Sequence, residues 1–153
     1  MISLNLFYEK YPSTIRVHEK WIPIITDFRE YIRLFDMLRC DELKSREKVF
    51  IIQEYFLDDI TIDADAIMAL SDFILMLDPT GELYSGETET PRKKNLFSYS
   101  IDYPYILSGF LRDYGIDLET IDYLHWWKFR ALFDGLSDDT EIKQRILYRG
   151  IHP

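Results

Sequence analysis

The stretch from Tyr123 to Leu136, YLHWWKFRALFDGL, constrains the fold more than any other part of the chain. When it is projected on a helix at about 100° per residue, its apolar side chains lie nearly all round the cylinder. A surface helix would instead carry one apolar stripe and one polar face. The pattern therefore predicts a central helix, capped by Asp117 and ended by Gly135, with other elements packed on several sides. We expect its core residues to be Tyr123, Leu124, Trp126, Trp127, Phe129 and Phe133.

Length and composition indicate a single globular domain. The chain has 153 residues, of which 47% are hydrophobic and 16% aromatic, and a chain of this length buries roughly 70% of its unfolded surface. Cys40 is the only cysteine, so no disulfide forms within the chain, which fits a reducing cytoplasm. The N-terminal residues have no basic start and no long apolar run, so we expect no signal peptide. No stretch approaches the ~20 apolar residues of a membrane span.

The charge is unevenly distributed along the chain. The net charge is −9, and residues 49–91 hold ten acids with no Lys or Arg, which leaves 17 acids and 18 bases elsewhere. Because Lys and Arg must neutralise phosphates when a protein binds nucleic acid, this balance argues against nucleic-acid binding. The acidic segment is interpreted as a solvated face, with a site for a basic partner as the alternative.

The order of elements predicts a mostly α fold: a compact single-domain bundle of five or six helices with a small N-terminal β-hairpin at residues 12–25. β-Branched residues flank the short polar break in the hairpin, and Pro23 belongs at an edge because it cannot donate a ladder hydrogen bond. Residues 78–96 lack periodicity and predict a long mobile loop. The helices are expected from about Phe28 to Arg39 after Asp27, from Asp41 or Ser45 to Leu57, from Asp63 to Leu77, from Tyr103 to Tyr114 between Asp102 and Gly115, through the central stretch, and from Ser137 to Gly150.

Val49, Ile52 and Phe56, with Phe50 and Leu57, are expected on the inner side of the second helix.

No constellation of residues indicates catalysis. The three histidines, His18, His125 and His152, are far apart and lack the spacing of a metal site. The acids between Asp58 and Asp65 lack the glycine and the terminal glutamate of an EF-hand loop. No phosphate-binding glycine loop or nucleophile elbow is present. We therefore expect a protein that is not an enzyme and that needs no metal or cofactor, with a metal-dependent nuclease built on the Asp58–Asp65 cluster as the enzymatic alternative.

Several strings in the C-terminal half carry a resemblance to a known family. They are YGIDL at 114–118, LHWWKFRAL at 124–132, GL at 135–136 and DDT at 138–140. Together with DFR at 27–29 and the stretch 97–110, they resemble the bacteriophage gene-product-fifteen family, which occurs in tail gene clusters of phages and prophages of Gram-positive bacteria. The similarity covers most of the chain. The acidic middle, 58–91, matches least, and Tyr103-Pro104 stands where relatives carry a small residue.

The resemblance implies a role in tail assembly. The family's genes lie near the tape-measure gene, where tail assembly chaperones are encoded. Such chaperones are small, acidic, mostly helical proteins that coat the tape-measure protein in the host bacterial cytoplasm and are absent from the finished particle. A structural tail component, such as a completion or connector subunit retained in the virion, is the alternative. Self-association into a homo-oligomer, through an arm at residues 1–12, is also expected from this resemblance.

Partner-binding residues are expected on the surface and not in the central helix. A long amphipathic client helix would dock its apolar face in a groove of aromatic and aliphatic side chains. Trp126 and Trp127 are interpreted as core. The candidates for partner contact are Trp21, Tyr84, Asp58, Asp59 and Asp63.

Overall fold

The structure is a computed structural model that describes residues 10–77 and 98–151. Within these residues it confirms the predicted fold class, with six helices and one two-stranded antiparallel hairpin. The loop predicted at residues 78–96 lies outside the described residues. The elements are β1 (Thr14–Val17), β2 (Lys20–Pro23), α1 (Phe28–Leu38), α2 (Ser45–Gln53), α3 (Ala64–Ile74), α4 (Tyr103–Tyr114), α5 (Trp126–Asp134) and α6 (Glu141–Ile151).

The residues fall into two compact units. The first comprises Met1–Gly86 with His125–Trp127, and the second comprises Glu87–Leu124 with Lys128–Pro153. Helix α5 therefore contributes its first two residues to unit one and the remainder to unit two. The expectation that the chain folds as a single domain stays a prediction.

The β-hairpin of unit one turns through two residues in the left-handed region. His18 has a φ of 51° and Glu19 a φ of 63°, as in the two-residue turns that match the twist of paired strands. The register places Val17 opposite Lys20 and Thr14 opposite Pro23. Side chains alternate along each strand, so Val17 and Ile22 are buried while their neighbours point outward.

Helices α1 and α3 of unit one begin at the predicted caps. The Asp27 carboxylate accepts the Arg29 backbone N–H at 2.9 Å, and the Asp63 carboxylate accepts that of Ala66 at 3.0 Å. These oxygens satisfy N–H groups that have no partner within the helix. The two helices bury Phe28, Tyr31, Leu34, Ala66, Leu70 and Phe73.

Helix α3 ends at Ile74 and does not reach Leu77 as predicted. Met76 has a φ of 57°, and its N–H donates to Phe73 O while the Leu77 N–H donates to Asp72 O. This pair of bonds is a Schellman ending, for which glycine is the usual left-handed residue. The sequence prediction was wrong because Met76 occupies that position.

Helix α2 is shorter and more exposed than predicted. It buries no residue, and Val49, Phe50 and Leu57, expected on its inner side, are 39%, 66% and 61% exposed. The chain leaves the helix after Gln53 because residues 55–57 pair with the end of the hairpin. The Ile25 N–H donates to Tyr55 O at 3.0 Å, and the Leu57 N–H donates to Pro23 O at 2.9 Å.

Unit two packs α4 and α6 with the larger part of α5. Helix α4 has the predicted bounds and ends at Gly115 with a φ of 67°, a conformation that glycine adopts without steric cost. The rings of Phe110 and Phe129 stack at 5.3 Å in its core. Asp102, 1% exposed, accepts two hydrogen bonds from Arg149 at 2.8 and 2.9 Å, and these bonds hold the pKa of its carboxyl below the usual range.

Two predicted caps belong to turns and not to helices. The Asp117 carboxylate accepts the Glu119 N–H at 2.9 Å within a local turn, nine residues before α5 begins. Ser137 donates its N–H to Asp113 at 2.7 Å, and α6 begins only at Glu141. Polar side chains stabilise turns and helix ends by the same bonds, so sequence alone did not separate the two.

Candidate partner-binding surface

The outward side of the hairpin carries the largest exposed aromatic side chain of unit one. Trp21 is 64% exposed and lies directly opposite Arg16 in the register of β1 and β2. Its neighbour Ile22 points to the core and is 6% exposed. Because alternate residues share a face, Thr14 and Pro23 lie on the same side as Trp21.

Leu57 extends this surface from the segment that follows α2. Its N–H bonds to Pro23 O, and the adjacent pair Ile24 and Phe56 forms an antiparallel bridge. Phe56 is buried, whereas Leu57 is 61% exposed, which places Leu57 on the outward side with Pro23. We call the side chains of Thr14, Arg16, Trp21, Pro23 and Leu57 the hairpin outer face.

Acidic residues brace the turn at the end of the hairpin. The His18 N–H donates to Asp65 Oδ2 at 2.8 Å, and His18 Nε2 lies 2.6 Å from Asp63 Oδ2. The hydrogen bond from the Ala66 N–H, followed by that with His18, holds the pKa of Asp63 below its usual value. Two non-glycine residues in the left-handed region are unfavourable for an isolated turn, so these bonds stabilise the position of the hairpin outer face.

The candidate acids divide into two groups. Asp58 and Asp59 follow Leu57 directly and are exposed, and Asp59 accepts a hydrogen bond of 3.4 Å from Gln53 Nε2. Asp63 instead serves as the cap of α3 and as the partner of His18. Tyr84, the remaining candidate, lies outside the described residues. Asp58 and Asp59 are therefore the acids available at the edge of the hairpin outer face.

The two tryptophans of α5 are buried in the interior of unit one. Trp126 and Trp127 are 1% and 3% exposed. Their indole N–H groups donate to Ile74 O at 3.0 Å and to Phe73 O at 2.7 Å, both near the end of α3. An indole N–H that is buried needs such a partner, so these bonds fix both rings in the core.

The other residues of the central stretch differ in burial. Leu124 is 4% exposed, Phe129 is fully buried and Phe133 is 5% exposed. Tyr123, which the sequence pattern places in the core, is 52% exposed. It precedes the start of α5 in an irregular segment, so the helical projection that placed it in the core does not apply to it.

A metal site requires a particular arrangement of ligand side chains. Among residues 10–77 and 98–151, no group of three His, Cys, Asp or Glu side chains is arranged to hold a metal ion. Cys40 is a half-buried free thiol. None of the helices in the described part of the chain is long and apolar enough to cross a membrane. The arrangement on the hairpin is suited to binding a partner through exposed apolar side chains.

Sequence reasoning placed Trp21 on the surface, where it is 64% exposed, and did not assign Leu57, Arg16 or Asp65 to this region. Leu57 was assigned to the inner side of α2 because it continues the helical spacing of Val49, Phe50 and Phe56. A signal against that assignment is the polar pair at 58–59 directly after it, which is typical of a chain that has left a helix.

Comparison with known proteins confirms the resemblance that the sequence strings carry. The model of a family described as Bacteriophage Gp15 protein matches residues 7–152. No curated protein and no solved structure matches the chain.

Proposed function

Because the chain belongs to the Bacteriophage Gp15 protein family, we propose that it is a non-enzymatic tail assembly chaperone that binds the phage tape-measure protein in the host cytoplasm. The family match supports a phage role, and the tail role follows from the gene neighbourhood that the resemblance implies. The single structural observation that supports binding is the hairpin outer face, where Trp21 and Leu57 are 64% and 61% exposed.

The hairpin outer face has the chemistry that an amphipathic client helix requires. Tryptophan and arginine are the residues that most often dominate binding energy at protein interfaces, and Trp21 and Arg16 lie opposite one another there. In this proposal the exposed Asp58 and Asp59 would meet basic residues beside the apolar stripe of the client. Charge pairs at the rim of an interface mainly affect association rate and specificity.

A chaperone must also release its client when the tail tube polymerises. A small exposed patch gives modest affinity per copy, and several copies along one long client provide the required total affinity. This arrangement does not require the core of unit one to open. Trp126 and Trp127 would accordingly stay buried in the complex.

Co-expression with the neighbouring tape-measure protein tests the proposal. Affinity capture followed by size-exclusion chromatography with light scattering should give a soluble complex with several copies of this chain per client. The light-scattering mass also shows whether free copies self-associate. A monodisperse protein that leaves its client insoluble would reject the chaperone role.

A structural tail component retained in the virion is distinguished by a second experiment. Mass spectrometry of purified particles should detect no peptides from this chain if it is an assembly chaperone. Abundant peptides would instead assign it to the finished tail as a completion or connector subunit.

A further inference from the structure

His125 joins two separate segments of unit one. It directly precedes α5 and forms an antiparallel bridge with Asp27, the cap of α1. Its side chain is 6% exposed. Both ring nitrogens are engaged: Nε2 lies 2.8 Å from Pro12 O, and Nδ1 lies 3.0 Å from the backbone nitrogen of Trp127.

These two bonds determine which nitrogen carries the proton. The Trp127 N–H is a donor, so Nδ1 must accept and carries no proton. Pro12 O is an acceptor, so Nε2 must donate and carries the single proton of a neutral ring. In this form Nδ1 acts as a side-chain cap for the second N–H of α5, the position that serine or aspartate usually serves. The first N–H of α5, at Trp126, donates to Thr26 O at 2.8 Å.

We propose that His125 is a proton-sensitive latch: its neutral ring holds the segment before β1 and the first turn of α5 together, and protonation releases the first turn of α5. A charged ring carries protons on both nitrogens. The Nδ1 proton would then point at the N–H of Trp127, so the cap is lost while the bond to Pro12 O remains. Trp126 and Trp127 lie in that first turn, so the latch also affects how firmly both rings are held.

Within residues 10–77 and 98–151, the rings that meet the His125 imidazole are aromatic and carry no charge. The ring of Tyr11 stacks on it at 4.9 Å, and those of Phe73 and Trp127 meet it edge-on at 5.7 and 6.3 Å. Asp27 is the residue that pairs with His125 through the backbone. Its carboxylate oxygens accept hydrogen bonds from the side chain and the backbone N–H of Arg29.

The other charged side chains on the adjoining segments include Arg130 on α5, which is buried, and three exposed residues. The exposed residues are Lys10 beside the Tyr11 segment, Asp72 on α3 and Lys128 on α5. Burial lowers the pKa of His125 from its usual value of 6.5, and the bond to Pro12 O opposes this effect only in part.

The direction of the pH dependence follows from this lowered pKa. In the unfolded chain His125 is protonated below about pH 6.5. In the folded chain its pKa is lower, so protonation requires a lower pH. The latch therefore stabilises the fold fully above pH 6.5 and loses its contribution as the pH falls from 6.5 to the folded-state value. Within that window each unit fall in pH should raise the unfolding equilibrium constant by at most about tenfold through this one residue.

Urea unfolding of the full chain between pH 5.0 and 7.5 tests the latch in three proteins. His125→Asn retains a cap oxygen for Trp127 and cannot titrate. His18→Asn is the control at an exposed histidine, and asparagine tolerates the left-handed region. Because it removes the ring contact with Asp63, it is compared by its pH slope and not by its absolute stability. We expect the wild type and His18→Asn to share the loss of stability below pH 6.5, and His125→Asn to lack it.

Nitrogen NMR of the imidazole rings gives a second readout on the wild type alone, which decides the question if His125→Asn does not fold. The latch requires a His125 ring that is neutral at pH 6.5 with its proton on Nε2. A ring protonated on Nδ1, or the same pH slope in His125→Asn as in the wild type, would overturn the proposal.

Discussion

The start of α5 and the hairpin outer face both belong to unit one and both carry tryptophan, yet they place it in opposite environments. Trp126 and Trp127 are almost fully buried, and each donates its indole N–H to a carbonyl oxygen near the end of α3. Trp21 is 64% exposed on a two-stranded hairpin whose other face is packed. The same residue type thus serves stability in one region and is available for recognition in the other. The two roles differ in whether the indole ring is buried with a hydrogen-bond partner for its N–H, and not in the type of side chain.

The largest expected effect is that of Trp127→Ala. It removes a ring that is 3% exposed, and loss of a buried aromatic side chain costs ~3–5 kcal/mol through lost transfer free energy and the cavity left behind. Urea unfolding monitored by far-ultraviolet circular dichroism measures the loss. A variant with wild-type stability would show that Trp127 is not part of the core.

Trp126→Phe should have a smaller effect because most of the ring volume is retained. Phenylalanine cannot donate to Ile74 O, so a carbonyl that accepts at 3.0 Å loses this partner. Loss of one such hydrogen bond costs about 0.5–1.5 kcal/mol. If this variant were as stable as the wild type by thermal and urea unfolding, the indole N–H would not be what holds the ring in place.

Asp63 gives a pH-dependent test of the contacts that hold the hairpin turn. Because the pKa of this carboxyl is lowered in the folded state, its stabilising contribution is present above about pH 3.9, its usual value, and is lost as the pH falls through the lower folded-state pKa. Asp63→Asn keeps a cap acceptor for Ala66 and removes the charge, so its stability should vary less with pH than that of the wild type between pH 2.5 and 5. Thermal unfolding across this range measures the difference, and equal slopes would contradict it.

Sequence reasoning reached the features that depend on local chemistry. The caps at Asp27 and Asp63 and both bounds of α4, including the left-handed Gly115, were predicted correctly. Each depends on residues within one or two turns of the same helix. Trp21 was also expected on the surface and Trp126 and Trp127 in the core, which their exposures of 64%, 1% and 3% match.

The missed features depend on contacts between residues distant in the sequence. Helix α5 starts at Trp126 because His125 pairs with Asp27 and caps the helix, and histidine is not a residue that sequence patterns read as a cap. Leu57 belongs to the hairpin outer face because its segment pairs with Pro23. Neither pairing produces a periodic pattern in the sequence. The central helix was therefore predicted to begin too early, and the second helix was predicted to end too late.

Trp21→Ala should have the smallest effect on stability and the largest on binding. Replacement of an exposed side chain usually changes stability by less than about 0.5 kcal/mol, whereas truncation of an interface tryptophan at a hot spot costs about 2 kcal/mol or more of binding free energy. Phe50→Ala is the matched control, since Phe50 is 66% exposed on α2 and lies outside the hairpin outer face.

Calorimetric titration of the wild type and these two variants with a soluble tape-measure fragment tests the account most directly. We expect Trp21→Ala to bind at least about tenfold more weakly than the wild type, and Phe50→Ala to bind as the wild type does. Wild-type affinity in Trp21→Ala, with the wild type itself binding, would show that the hairpin outer face is not the partner-binding surface.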